Sequence, residues 1–247
     1  MNEPVQNPIE PAPRRGPGRP RKRPVAEAVA AGAGAGAADT PPPRTNDPER
    51  TMADIVDVAT REFADKGLAG ARIDEIAAAT RTSKRMIYYY FGSKEGLYIA
   101  VLEHAYQAIR NTEAALHLDD LPPEQALREL VGATVDYQLA HPEFPRLVMT
   151  ENIHRGEFLA QSKAIRSLNV PAIDAIAQVY QRGCAAGVFR PGLDPLDLHM
   201  SISALAVFNV ANKHTFSLIF QRDPDLPEVI AARRASIVDM VVRFVRV

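Results

Sequence analysis

The chain has 247 residues, enough for one large domain or two small ones, and its 46% hydrophobic and 24% charged residues are the balance of an ordinary soluble globular protein. A lone cysteine, Cys184, excludes an internal disulfide framework and a cysteine-cluster metal centre and fits a reducing, cytoplasmic setting. No apolar run approaches the roughly 18 residues of a membrane span, and the net charge of −1, from 29 Lys+Arg against 30 Asp+Glu, argues against a nucleic-acid binder only if the charge is spread evenly.

It is not spread evenly. Residues 1–46 are dominated by Pro, Ala, Gly and Arg, with little to bury, so this segment is expected to form a tail without a fold of its own. Within it, Arg14-Arg15-Gly16-Pro17-Gly18-Arg19-Pro20-Arg21-Lys22-Arg23-Pro24 carries six positive charges and no negative one. The Ala/Gly stretch from Val25 to Ala38 follows these basic residues in the order of a signal peptide. It starts too far into the chain and lacks Leu, Ile and Phe, so it reads as a linker.

Helical periodicity begins at Asp47. Ala53, Ile55, Val56, Ala59, Phe63 and Ala64 recur at three- and four-residue spacing, and Lys66-Gly67 supplies a basic last turn and a glycine stop. A short second helix fits Ile73 to Ala79, with Asp74 and Glu75 at its positive end. Thr82 or Ser83 can cap a third through Tyr88, and Gly92-Ser93 breaks that helix and caps a fourth running past Tyr106. Farther on, Pro122-Pro123 opens a helix to Ala140, and His141-Pro142 with Pro145 a short one through Ile153. Longer helices are expected over Glu157 to Ala185, from Asp194-Pro195 to Phe220, and from Pro227 to Arg246. No period-2 strand and no internal repeat is found, so the fold class is all-α, with 1–46 as tail, 47–105 as an N-terminal three-helix domain and 106–247 as a larger helical domain.

Two short helices joined by a tight turn and packed on a longer one make a helix-turn-helix, whose second helix can lie in a major groove. Between Arg81 and Lys94 the charges are Arg81, Lys84, Arg85 and Lys94, with no Asp or Glu, and Tyr88, Tyr89 and Tyr90 add phenolic donors suited to phosphates. The order Ile76-Ala77, Ser83, Ile87-Tyr88-Tyr89-Tyr90-Phe91, then Ser93-Lys94-Glu95-Gly96-Leu97, resembles the signature of the TetR-type bacterial transcriptional regulators over about 47–105. Two positions depart from that signature: Thr80-Arg81-Thr82-Ser83 replaces the usual Ala-Gly-Val-Ser turn, putting Arg81 where glycine would relieve a left-handed backbone, and Tyr90 stands where His is usual. The resemblance implies DNA contacts from Arg81, Thr82, Ser83, Lys84, Tyr88, Tyr89 and Lys94, with Arg85 and Met86 placed to read bases. It also implies a dimer on a palindromic operator and a small-molecule effector that releases it, most often from repression. In the tail, Arg19 and Arg21 around Gly18-Arg19-Pro20 resemble an AT-hook core for the minor groove; a polybasic arm that only adds counterion-release affinity is the alternative.

The last two helices are the candidates for pairing two copies, through Ile202, Leu205, Ala206, Val210 and Phe216 on one and Ile237, Val238, Met240, Val241, Phe244 and Val245 on the other; the alternative is that they only close the monomer core. Candidate effector contacts with polar handles, expected to be buried, are Tyr106, Tyr137, Glu151, Asn152, His154, Tyr180, Asn209, Asn212 and His214, with Phe144, Met149, Phe158, Phe208 and Phe216 as apolar walls. The run His141-Pro142-Glu143-Phe144-Pro145-Arg146 followed by Glu151-Asn152 resembles a subgroup that includes regulators of pyrimidine or nicotinate catabolism, which implies a small, planar, polar effector or an organic acid. Glu151 and His154 are three apart, a spacing that serves metal ligation in helical bundles, and His199 or His214 could complete such a set. Single helical histidines are more commonly surface or core residues, so neither a metal nor another cofactor is assigned. The sequence has no glycine-rich phosphate loop, no His-Glu-x-x-His and no Gly-x-Ser-x-Gly, and no enzymatic role is assigned. A DNA-organising protein without an effector is the alternative function.

Overall fold

The computed structural model describes residues 47–247. The basic tail, with Arg19 and Arg21, lies outside the described residues. Ten α-helices follow in order: α1 Pro48–Gly70, α2 Ile73–Ala79, α3 Lys84–Phe91, α4 Lys94–Ala114, α5 Pro123–Ala140, α6 Glu143–Ile153, α7 Lys163–Ala185, α8 Pro195–Ala211, α9 Lys213–Phe220 and α10 Pro227–Val245. One antiparallel bridge joins Phe189 to Arg246, and no strand longer than that occurs among the described residues.

The helix starts follow from local chemistry. Asp47 accepts hydrogen bonds from the N–H groups of Glu49 and Arg50 at 3.1 and 3.2 Å, with Pro48 at the first helical position. Ser83, Ser93, Ser162 and Asp194 cap α3, α4, α7 and α8 in the same way. Gly67 does stop the regular part of α1: its φ of 66° and ψ of 174° break the helix, and only a turn continues to Gly70.

Two helix expectations fail. The long helix to Phe220 breaks at Asn212, whose φ of −104° and ψ of 9° separate α8 from α9. Its side-chain amide donates to the Phe208 carbonyl at 3.2 Å beside its own backbone N–H at 3.0 Å, a local side-chain bond of the kind that accompanies a helix end. The helix expected from Glu157 starts instead at Lys163. Arg155 and Gly156 take positive φ, a short 3-10 turn covers Leu159–Gln161, and Ser162 provides the cap.

Apolar residues gather in two clusters. The first draws Ile55, Phe63, Ile76, Ile87, Leu97 and Tyr98 from α1–α4, and also Tyr137, Phe144, Leu147 and Ile165 from α5–α7. The second joins α5, α7, α8 and α10 through Leu127, Val131, Val179, Ile202, Ile237 and Val241. Helix α4 runs without interruption through position 105 and contributes to the first cluster on both sides of it.

Within the second cluster, a Cβ placed on Gly183 would lie 1.8 Å from the Phe189 ring, which is itself 2% exposed. Gly183→Ala is therefore expected to cost about 1–3 kcal/mol by overpacking, a fall in Tm of roughly 2–4 °C per kcal/mol for a chain of this size. Thermal unfolding followed by circular dichroism checks this; an unchanged Tm would show that the ring has room to move.

Candidate functional site

The helix-turn-helix rests on α1. Lys66 donates to Glu62 on its own helix at 2.9 Å and pairs with Glu75 on α2, which raises the lysine pKa and lowers that of the Glu75 carboxyl. Glu62 also accepts the Arg72 N–H at 3.0 Å, giving a partner to backbone at the start of α2. The α2–α3 turn closes through Thr82 N–H to the Ala77 carbonyl at 3.0 Å, and Arg81 adopts a φ of 53°, the left-handed conformation expected where the family has glycine.

On α3, Ile87 is fully buried and anchors the helix, while Tyr88 and Tyr89 are 45% and 77% exposed. Arg81, Ser83, Lys84 and Arg85 are exposed as well, and Thr82 and Met86 are half-buried. Lys84 pairs with Asp74 on α2; Arg81 and Arg85 have no carboxylate partner among the described residues. Lys94, half-buried at the first position of α4, donates to the Ala69 carbonyl at 3.3 Å. Tyr90 turns inward, edge-on to Phe91 at 6.3 Å, and joins the first cluster. The α3–α4 joint is close: a Cβ on Gly96 would fall 2.1 Å from the Phe91 carbonyl oxygen, a backbone atom that no rotamer change can move. The residues assigned to DNA from Arg81 to Lys94 therefore lie on one short unit set by Ile87, Gly92 and Gly96.

The candidate effector residues separate into four places. Tyr106, Tyr137 and Phe144 form an aromatic group, with edge-on contacts of 5.3 Å (Tyr106–Phe144) and 6.3 Å (Tyr137–Phe144). Beside them are residues that sequence reasoning missed. Arg110 on α4 has a side chain only 10% exposed, with Nη1 2.7 Å from Glu113 Oε2. Nε has no hydrogen-bond partner among the described residues. Burial, partly countered by Glu113, lowers the Arg110 pKa, and burial raises that of Glu113 against the pull of Arg110. Burial and then the Arg110 charge hold His199 on α8 below the usual histidine range. The Tyr106 hydroxyl is raised by burial, and that of Tyr137 is pushed up to about 12 by burial and then Glu143. The signal that could have found this group is Tyr106, Arg110 and Glu113 at four- and three-residue spacing on one face of α4.

Glu151 and Phe158 sit elsewhere, against Tyr98. Glu151 is 2% exposed and accepts the Leu159 N–H at 2.8 Å, while Phe158 meets the Tyr98 ring edge-on at 5.5 Å. Tyr180 holds the loop between α7 and α8, donating to the Arg190 carbonyl at 2.8 Å and accepting from Leu193 N–H at 2.9 Å. Phe208, Asn209 and Asn212 line a cleft of about 490 Å³ between α5, α8, α9 and α10, with Phe216, Ile230 and Arg233. The expected burial fails for Asn152, His154 and His214, which are exposed, and Met149 is 44% exposed. Helix α6 ends at Ile153, so His154 leaves the helical face that Glu151 occupies. No group of three His, Cys, Asp or Glu at metal-holding separation occurs among the described residues.

A helix-turn-helix followed by a larger helical domain defines a DNA-binding regulator, and comparison with known proteins gives the family. Residues 55–101 match the model described as "Bacterial regulatory proteins, tetR family", and residues 123–241 match "Tetracyclin repressor-like, C-terminal domain". The HTH-type transcriptional repressor NicS of Pseudomonas putida is 40% identical over 174 residues, covering 70% of this chain and 82% of that protein. The HTH-type transcriptional repressor SCO4008 of Streptomyces coelicolor is 39% identical over 110 residues, 44% of this chain and 54% of that one. Among solved structures, the putative transcriptional regulator SCO4942 of Streptomyces coelicolor aligns over 79% of this chain and 98% of its own with a TM-score of 0.60 and 29% identity. The chain belongs to the TetR family of bacterial transcriptional regulators.

The Arg81 backbone gives a direct check on the turn. Arg81→Gly removes a left-handed non-glycine residue and is expected to raise stability by about 1 kcal/mol, while the lost charge lowers DNA affinity. Thermal unfolding and gel-shift titration should therefore move in opposite directions.

Proposed function

We propose that this protein is a cytoplasmic, dimeric repressor that reads a palindromic operator through α3 and is released by a small-molecule effector bound in the region after α4. The observation that carries the reading is the exposed surface of Arg81 in the α2–α3 turn with Arg85, Tyr88 and Tyr89 of α3, held by a fully buried Ile87. Arg85 and Met86 read bases in the major groove; Arg81, Thr82, Ser83, Lys84, Tyr88, Tyr89 and Lys94 fix the helix against phosphates and neighbouring base edges. Reading successive major grooves requires two such helices about 34–36 Å apart, which a dimer supplies.

Of the residues that the sequence pattern offers for pairing, Ile202, Ala206, Ile237, Val238, Val241 and Val245 are consumed by the monomer core, whereas Phe216, Met240 and Phe244 remain 45%, 39% and 51% exposed, joined by Met200 and Phe208 at 59% and 45%. Exposed apolar side chains concentrated on α8, α9 and α10 support pairing of these helices between copies. Effector binding favours a dimer geometry whose two α3 helices no longer match the groove spacing, and DNA affinity falls by that difference.

Tyr88→Ala and Lys94→Ala together are expected to lower operator affinity at least tenfold, with the dimer intact by analytical ultracentrifugation. Full affinity in a gel-shift titration would sink the assignment. Deleting residues 1–46 is expected to weaken operator binding and flatten the dependence of log affinity on log salt, because fewer counterions are released. Unchanged affinity across a salt series would remove the tail from the function.

A further inference from the structure

We propose that Asp74 on α2 is a specificity-determining residue of the reader: an internal counterion that withholds Lys84 from the phosphates of unselected DNA and gives it up only on a duplex that α3 matches. The proposal rests on the DNA-reading role of α3 above and adds a residue that acts against binding.

The four cations from Arg81 to Lys94 have different surroundings. Arg81 and Arg85 are exposed and have no carboxylate partner among the described residues. The Lys94 ammonium donates to the Ala69 carbonyl at 3.3 Å. Lys84 is the one of the four that pairs with an acid among the described residues, Asp74, and both side chains are about half exposed. Arg72 approaches the same carboxylate at 3.8 Å and has Glu75 at 4.0 Å as a second partner. The Asp74–Lys84 pair thus joins α2 to the first residue of α3, the end of a recognition helix that contacts base edges.

The helix-turn-helix does not depend on the Asp74 charge for its fold. Glu75 also stands in the first turn of α2, where the helix dipole favours an acid, and it is Glu75 that pairs with Lys66 of α1. For DNA the charge matters more. While the pair holds, Lys84 neutralises no phosphate and the duplex keeps its condensed counterion. Breaking the pair gives up a small attraction and leaves the Asp74 carboxylate facing the phosphates. On unselected DNA nearly all affinity comes from phosphate neutralisation, so withholding one cation removes a sizeable share of it. On a matched duplex, base contacts fix α3 in register, and the phosphate contact that Lys84 then makes offsets the broken pair. Asp74 therefore weakens nonspecific binding more than specific binding.

The test measures affinity of the full chain by fluorescence anisotropy across a salt series, on two duplexes of equal length: one of random sequence and one that the wild-type chain selects from a random pool. Asp74→Asn is expected to raise affinity for the random duplex about threefold or more and to steepen its slope of log affinity against log salt by about 0.9, one phosphate's share. Affinity for the selected duplex should rise less, with its slope unchanged, so the ratio between the duplexes falls. Asp74→Glu, which keeps the charge, should retain the wild-type ratio. Adding Lys84→Met to Asp74→Asn should return the random duplex to wild-type affinity and slope, because the paired lysine neutralises nothing there. Circular dichroism checks that the variants fold, and Asp74→Ser carries the test if the asparagine variant does not. The proposal is overturned if Asp74→Asn leaves the random duplex unchanged, if both duplexes gain equally, as the plain loss of a negative charge would give, or if the gain survives Lys84→Met. Each of these outcomes leaves DNA binding by the wild type intact and refutes the role of Asp74 alone, whereas a wild-type chain that binds no duplex refutes the regulator reading.

Discussion

Helix α4 has no break between Ser93, whose hydroxyl caps it, and Ala115. At its first turn Gly96 admits the Phe91 carbonyl to a distance that any side chain would forbid, and about three to five turns later the same helix carries Tyr106, Arg110 and Glu113. Helix α4 thus carries both the joint to α3 and the buried polar group, and contacts from other helices hold it between them. Phe63 of α1 meets Tyr98 edge-on at 5.1 Å, Phe158 meets the same ring edge-on at 5.5 Å, and Ser162 at the start of α7 donates to Glu103 at 2.5 Å.

The near-zero net charge hides a partition that this arrangement makes useful. On α3 the positive groups stand in water, where their desolvation is deferred until a phosphate replaces the solvent. At Arg110 the positive group is already desolvated, with one carboxylate close by and donors to spare. The two kinds of arginine are suited to different partners: an exposed one to a polyanion with a counterion atmosphere, a buried one to a single small acceptor.

Features set by short-range chemistry were legible in the sequence. Asp47-Pro48, Ser83, Ser93 and Asp194-Pro195 start helices because each cap needs only residues two or three positions away, and the left-handed Arg81 was visible as a glycine position without its glycine. What escaped depends on how separate helices meet. Asn209 and Asn212 face the cleft while Asn152 faces solvent, although all three stand in amphipathic helical context. Leu205 and Phe208 look alike in the pattern, but one packs on the second cluster and the other stays outside it. A charged residue on a helix is ordinarily solvated; the spacing of Tyr106, Arg110 and Glu113 marks a common face, but the burial of Arg110 comes from the packing of α5 and α8 on α4.

The ties between the reader and the larger region are mostly apolar. Arg146 on α6 reaches Asp65 on α1 at 2.5 Å and approaches His214 on α9 at 3.5 Å, but Arg146 and Asp65 are 43% and 60% exposed, and ion pairs of that kind contribute little. Phe144 and Leu147 of α6 share the first cluster with Ile55, Ala59 and Phe63 of α1, so the α1–α6 contact is held by burial rather than by charge. The Gly96–Phe91 joint likewise cannot open without separating two helices. Movement of the reader against the larger region is therefore a matter of repacking helices, since no single surface ion pair holds the two together.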